Sequence, residues 1–379
     1  MKPSSEGLRR AGRGLALGLG AVGLTVLLVG LIVSLLGGNP GRALSSIFAG
    51  SLGSASSLAE VCLKATPLLF TGLAIAVAFR AGGWTIGAEG QFLVGMLGAT
   101  AAALYLPPMP AFPRTVLTLL SGSCVGAVWA ALPAWMRLKR DVPEVISTIM
   151  LNFLAVYLVE YLVRGPMKDP TSASDWSPRL PDAACLPRFS QIAPVGRIGV
   201  DSIPLAGGLN VAGGLELGRL HLGVLVALLT LAGVWIWLDR TRLGFQLRAV
   251  GLGTPAARSA GIPTGRVLWI AFVISGALAG LGGGVEVSGM IQRMYRYAPG
   301  SPGYGFSGIA VALLGGLAPG GVVLSAVFFG ALSAGCSQMQ RSAGVSIHVA
   351  SIVQAATVIL LVLLPGLRKR FETNRPPES

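Results

Sequence analysis

Charge is what this chain has least of. Only 12% of its 379 residues are Asp, Glu, Lys or Arg, against roughly 25% in a soluble domain. With 53% hydrophobic residues and a mean hydropathy of +0.72, a soluble globular fold is excluded. Acidic residues are scarcest, 15 against 29 basic ones, for a net charge of +14. A basic balance can signal nucleic acid. Here the cations sit in short stretches between apolar runs, where orientation in a membrane accounts for them. The expected surroundings are membrane lipid, with no nucleic-acid partner. The four cysteines, Cys62, Cys124, Cys185 and Cys336, are scattered without a C-x-x-C, and the two histidines, His221 and His348, lie far apart. That spacing suggests neither a metal site nor a disulfide framework. Each histidine is expected as a helix-end or packing residue. No G-x-x-x-x-G-K-S/T phosphate loop occurs, so no ATP site is expected on this chain. No Ser-His-Asp or paired-carboxylate arrangement emerges either, which leaves no catalytic residue to name. Gly18-Leu19-Gly20-Ala21-Val22-Gly23 matches a dinucleotide fingerprint, but within an apolar run and with no strand before it the match is accidental.

Apolar runs are what the chain does have. Candidate spans are Gly14–Leu36, Cys62–Phe79, Trp84–Leu106, Phe112–Met136, Val142–Val163, Leu220–Leu238, Val267–Val287, Tyr304–Leu317, Gly321–Met339 and Ile347–Leu364. Most approach the ~20 residues needed to cross a bilayer. The eighth is short, and it and the ninth are expected to be tilted, broken or re-entrant. The first run exceeds the ~7–15 residues of a signal-peptide core and reads as an uncleaved span.

Lysines and arginines test this count. They cluster at Arg9, Arg10 and Arg13, at Arg137, Lys139 and Arg140, from Arg240 to Arg266, and at Arg368, Lys369 and Arg370. The alternate short segments keep only Arg42, Lys64, Arg114, Arg293, Arg296 and Arg341. By the positive-inside rule, the expectation is an all-α polytopic membrane protein. It would have about ten transmembrane helices and both termini cytoplasmic, as one transmembrane domain over 1–379. Residues 166–218 would form an external loop or cap, and 239–266 a cytoplasmic segment.

One span is interrupted by Gly82-Gly83-Trp84-Thr85-Ile86-Gly87-Ala88-Glu89-Gly90-Gln91. Glycine weakens a helix because it loses the most backbone freedom on ordering. Two readings are open: a tight turn between two spanning helices, or a deeper break of the kind that transporters use at substrate sites. Polar groups within spans are costly and are usually functional. Trp84, Thr85, Glu89, Gln91, Asn152 and Gln354 are therefore candidates for a translocation path, with helix–helix hydrogen bonding as the alternative for Asn152 and Gln354. Lys64, Glu160 and Glu286 lie near the outer ends of their spans, where they can reach the interface. Gly276, Gly280 and Gly284 share one helix face and would let a second helix approach closely. In the basic segment, Thr254 can cap a short helix, Pro255 suits its first turn, Ala256 and Ala257 propagate it, and Gly261 can end it. Such a helix is either a docking element or an ordinary loop helix.

Several blocks together resemble one family. Trp84-Thr85-Ile86-Gly87-Ala88-Glu89-Gly90-Gln91 is similar to the N-I-G-x-E-G-Q signature of permease subunits of bacterial ABC importers for nucleosides and simple sugars, the ribose and branched-chain amino-acid type of permease. Thr85 stands where that family usually carries asparagine. Met150-Leu151-Asn152-Phe153 with Tyr161-Leu162-Val163-Arg164-Gly165-Pro166 resembles its fifth span and exit. Leu247-Arg248-Ala249-Val250-Gly251 with Ala256-Ala257-Arg258-Ser259-Ala260-Gly261-Ile262 resembles its coupling segment, and Gly303 to Gly315 a further block. The resemblance implies a type II ABC-importer-like permease in a bacterial inner membrane. It also implies a second permease, identical or homologous, a cytoplasmic ATPase carrying ATP and Mg, and an external substrate-binding (lipo)protein. Thr254, Pro255, Ala256, Ala257, Arg258 and Gly261 would then seat on the ATPase. Nucleosides are the expected substrates, with ribose or another simple sugar as the alternative. The rival classes are an ion-coupled secondary transporter, which would favour a carboxylate relay along the path, and a channel or structural membrane subunit.

Overall fold

The computed structural model describes residues 39–189, 219–295 and 303–343, with isolated positions between 23 and 34 and at 352 and 355. Most of the first and tenth expected spans, Gln354, His348 and the second half of the 166–218 loop lie outside the described residues. Among the described residues all regular structure is helical. In chain order the helices are α1 (Pro40–Leu52), α2 (Ala55–Arg80), α3 (Ala88–Tyr105), α4 (Ala111–Arg140), α5 (Glu144–Arg164), α6 (Gly223–Arg240), α7 (Arg242–Leu252), α8 (Thr254–Ser259), α9 (Thr264–Glu286), α10 (Tyr304–Leu314) and α11 (Pro319–Ala343). A π turn, Val287–Ile291, prolongs α9. Six helices, α2, α4, α5, α6, α9 and α11, are long and apolar enough to cross a membrane. The protein is a multi-pass membrane protein.

The chain divides into two compact units, Met1–Val61 with Phe328–Ser379, and Cys62–Val327. In the first, Val29, Val33 and Ala43 form a core with Leu332, Cys336 and Met339. Helix α1 was not expected, because Arg42 and three serines lower its hydropathy. Its signal was local: Asn39 Oδ1 accepts from the Gly41 and Arg42 amides at 3.0 and 3.2 Å, and Pro40 opens the helix.

The second unit is built on α3, α4 and α9, which touch backbone to backbone. A Cβ on Gly280 would run into Gly122 O and stand 2.9 Å from Gly126 Cα; one on Gly276 would run into Gly126 O and Ala130. Gly95 of α3 meets Gly280 from the other side. Gly284 differs: the nearest atoms to its Cβ would be at 3.5 Å, an ordinary contact. The periodic glycines thus serve close approach at two positions, and at the third the helices have begun to diverge.

The ends of this unit are tied separately. At one end Arg137 pairs with Asp141 (2.9 Å) and Glu144 (3.1 Å), closing the α4–α5 corner. Asp141 takes the left-handed conformation that ends α4. At the other, the buried Arg114 guanidinium donates to Ala103 O (2.9 Å) and Leu106 O (3.2 Å), satisfying the last carbonyls of α3. The described part of the long loop sits at this same end. Leu186 N donates to Ser288 O, Leu180 N to Gln292 O, and Thr115 Oγ1 to Ala183 O.

Residues 239–266 hold two helices where one was expected. Helix α7 is capped by Thr241, whose hydroxyl accepts from Gly244 N at 3.1 Å, and it buries Leu247 and Val250. Its arginines hid it from a hydropathy reading. Thr254 is the first residue of α8 and not its cap: Gly253 holds that position without a side-chain bond, and the Thr254 hydroxyl donates back to Val250 O at 3.3 Å. Gly261 ends the helix in the left-handed region at φ 76°, with Ile262 N bonded to Ala257 O.

Candidate functional site

The break is shorter than its glycines suggested. Helix α2 stops at Arg80, residues 83–86 run without helix, and α3 starts at Ala88, so Glu89, Gly90 and Gln91 lie in its first turn. The segment follows α5 inward. Trp84 N donates to Glu144 Oε1 and Ile86 N to Thr148 Oγ1, both at 3.3 Å. Asn152 then takes both ends of the joint: its Nδ2 donates to Ile86 O and its Oδ1 accepts from Gly90 N, each at 2.9 Å. At ~1.5 Å of rise per residue, Asn152 stands about 12 Å along α5 from Glu144. Helix α3 therefore begins well inside the unit, and one of its first-turn N–H groups, that of Gly90, is served by a side chain of the neighbouring helix.

Glu89 looks the other way. It is 3% exposed, and its Oε2 accepts from Gly305 N at 2.7 Å, in the first turn of α10. Gly305 has no room for a Cβ, which would fall on the backbone of Glu89 and stand 2.6 Å from Ala88 C. Two helix N-termini meet around one carboxylate, the arrangement that their dipoles favour. Helix α10 is held from behind as well, by Thr71 Oγ1 donating to Tyr304 O at 2.9 Å. With 11 residues it spans roughly 16 Å, half a bilayer core.

Beside this junction lies a cavity of about 40 Å³, lined by Glu89, Phe92 and Met96 of α3, Glu286 and Ile291 at the end of α9, Met294 and Tyr295 beyond it, and Tyr304 of α10. The rings of Phe92 and Tyr304 lie 5.7 Å apart. Burial and the nearby Glu286 carboxylate raise the Tyr295 phenol above its ordinary range, so it stays a neutral donor. No lysine, arginine or histidine lines the cavity among the described residues. Its chemistry is that of carboxylates, aromatic faces and thioethers, suited to a solute that presents N–H or O–H donors.

Of the expected path residues that are described, Glu89 alone lines the cavity. Trp84 is 59% exposed against Phe79, and Thr85 is buried with its hydroxyl accepting from Gly87 N. Asn152 is occupied by the break, and Gln354 lies outside the described residues. Gln91 is 1% exposed and its Oε1 has no hydrogen-bond partner among the described residues. Glu286 was legible only as a carboxylate near a span end. Phe92, Tyr304, Met294 and Tyr295 carried no polar signal strong enough to single them out.

A second contact joins the break to the basic segment. Gly251 of α7 lies against Arg80 O and Gly82, with a Cβ on Gly82 standing 3.6 Å from Gly251 Cα. Arg248 donates to Leu238 O and reaches Asp239 Oδ1 at 3.3 Å, fixing α7 to the end of α6. The far side of the pair is open: Pro255, Ala256, Arg258 and Ser259 are exposed, Leu252 is 92% exposed, and within α8 only Ala257 is buried. His221, just before α6, is buried with Nδ1 accepting from Gly223 N at 3.0 Å. Burial and Arg188 lower its pKa to about 4.

A half-length helix, a recessed break and a largely apolar cavity bearing two carboxylates between helix ends define a membrane transport protein of the permease class. Over residues 57–363 the chain matches the family described as branched-chain amino acid transport system / permease component, and it belongs to that family. It is 37% identical over 347 residues to the glucose ABC transporter permease protein TsgB13 of Haloferax volcanii, covering 92% of this chain and 84% of the relative. It is 33% identical over 358 residues to the guanosine ABC transporter permease protein NupP of Bacillus subtilis (94% and 92% covered). The nucleoside ABC transporter permease protein NupB of Lactococcus lactis is 30% identical over 338 residues (89% and 87% covered). No solved structure matches the chain significantly. Family membership decides against the ion-coupled and channel classes: this is an ABC permease subunit, and ATP hydrolysis falls to a separate subunit.

Proposed function

We propose that this chain forms the translocation pathway of an ATP-driven nucleoside importer in a bacterial inner membrane. It works by alternating access, with Arg242–Gly261 seated on the ATPase. The observation that carries the reading is the contact of Gly251 with Arg80 and Gly82. A push on the exposed face of α7 and α8 arrives directly at the turn that opens the break, and so at Glu89. ATP and Mg belong to the partner ATPase, and no cofactor is assigned to this chain. The guanosine and nucleoside relatives support the substrate class. A sugar substrate is the second reading, favoured by the 37% identical glucose relative. The described part of the 166–218 loop, seated on the ends of α4 and α9, offers the face for an external binding protein. The partner permease is a second copy or a homologue; two Bacillus subtilis proteins named guanosine ABC transporter permease, NupP and NupQ, both resemble this chain.

The test is uptake of radiolabelled nucleosides and sugars with and without the co-expressed ATPase. Nucleoside uptake that requires the ATPase is expected; uptake that is indifferent to it and collapses with the proton gradient refutes the reading. Orientation is tested by a single cysteine at Ser259 in a background without the native cysteines. Labelling of intact cells from outside by an impermeant reagent would reverse the proposed topology.

A further inference from the structure

Helix α6 is a spanning helix of which only 22% is buried within the protein. Leu229, Trp235 and Ile236 are among its exposed side chains. A span with such a face belongs beside lipid tails. It ends at Arg240, and the chain turns at Thr241 into α7. That turn is where tails give way to headgroups. Trp235 and Trp237, in the last two turns of α6, are the side chains favoured at the boundary.

A groove of about 490 Å³ opens at the turn, and its lining includes Asp239, Arg240, Arg242, Phe245, Gln246 and Arg248. Its charges do not balance. Asp239 is the only carboxylate in the lining, and it pairs with Arg248 at 3.3 Å. Arg240 and Arg242 are exposed and make no ion pair or hydrogen bond among the described residues; the Gln246 amide makes none either. Apolar surface borders these cations, with Phe245 60% and Leu243 41% exposed. Two unpaired guanidiniums, an amide donor and apolar side chains at the end of a lipid-facing helix complement a phosphodiester and the first carbons of its acyl chains. The surface assigned to the ATPase lies elsewhere: Leu252 is at the far end of α7, roughly 15 Å along the helix from Arg242.

We propose that this groove binds an anionic phospholipid, with Arg240 and Arg242 on the headgroup phosphate and Phe245 against the acyl chains. A zwitterionic lipid carries its own cation and gains less from the arginines. A lipid so held ties the end of α6 to the start of α7, the element that carries the proposed ATPase contact. The inference requires that α6 cross the bilayer and is independent of what the permease carries.

The test is native mass spectrometry of the detergent-purified complex of permease and ATPase, with phosphatidylglycerol or phosphatidylcholine of the same acyl chains added. An arginine at an anionic surface is worth about a fivefold preference, so the two together should favour phosphatidylglycerol by roughly 25-fold. Arg240→Gln and Arg242→Gln should each lower its retention about fivefold. Arg240→Lys should keep most of it, and Arg258→Gln, on α8, should change nothing. Phe245→Ser should weaken both lipids alike. Retention of phosphatidylglycerol should also fall as salt is raised, a readout that needs no variant. Equal retention of the two lipids, indifference to salt, or a loss in Arg258→Gln equal to that in Arg240→Gln would overturn the inference. Displacement of the lipid by inorganic phosphate would make the groove a site for soluble anions and overturn it as well. Phosphatidylglycerol bound by the permease alone and lost on adding the ATPase would give the groove to the ATPase instead.

Discussion

Replacing Gly280 by alanine adds one methyl group where α9 and α4 touch backbone to backbone in the Cys62–Val327 unit. Its Cβ would run into Gly122 O and stand 2.9 Å from Gly126 Cα. Carbon atoms pack best at about 3.5–4.0 Å, so α4 and α9 would have to part by roughly 0.5–1 Å, forfeiting a quarter to a half of each dispersion contact along the seam. Overpacking of this kind costs about 1–3 kcal/mol. Alanine returns about 0.5–1 kcal/mol through its better helix propensity. The net loss should be about 1–2 kcal/mol. Gly284 supplies the control from the same face of the same helix. Its Cβ would find its nearest neighbours at 3.5 Å, so Gly284→Ala should be neutral or stabilise by up to about 1 kcal/mol. The assay is the thermal midpoint and monodispersity of both variants in the same detergent. Equal midpoints, or a lower one for Gly284→Ala, would refute the claim that backbone contact at Gly280 organises this unit.

Gly261→Val meets no atom within 4 Å but must hold φ 76°, a strain of about 1–2 kcal/mol. Uptake and ATPase co-purification should fall while membrane insertion is unchanged, and normal values for both would remove the coupling role. Thr254→Ala should change stability by less than about 0.5 kcal/mol, because Thr254 is not the cap of α8; a co-purification loss equal to that of Gly261→Val would contradict this. Asn152→Leu leaves Gly90 N and Ile86 O without their partner at about 1–3 kcal/mol each, and the break should become accessible to thiol reagents at an introduced Ile86→Cys; continued protection would show that Asn152 does not hold it. His221 is kept neutral in the fold, with its pKa lowered from 6.5 to about 4. Above pH 6.5 neither state binds the proton and pH has no effect through this residue. Between 6.5 and about 4 the unfolded chain takes up a proton that the folded one refuses, so stability falls with pH, by up to ~3 kcal/mol. His221→Gln should flatten that part of the profile, and an unchanged slope would assign the acid loss elsewhere.

The sequence by itself determined the class of this protein, the place of the break and the six helices that are long and apolar enough to span. Those depend on hydropathy and on the conformational preferences of Gly and Pro, which act within a few residues of where they occur. The left-handed end of α8 at Gly261 is of the same local kind. Helices α1 and α7 escaped because their evidence is a cap and a narrow apolar face, which arginine and serine outweigh in any average. The tertiary structure alone decided how the polar residues are used. Asn152 and Glu89 look alike in sequence, as lone polar groups among apolar ones. Folding spends Asn152 on the backbone of the break and leads Glu89 to α10, more than two hundred residues away. The glycines of α9 divide in the same way: Gly280 is pinned by α4 and Gly284 is not, because two crossing helices touch closely over a short stretch and separate beyond it. Which side chains share a cavity depends on such crossings, and no periodicity along one chain segment contains them.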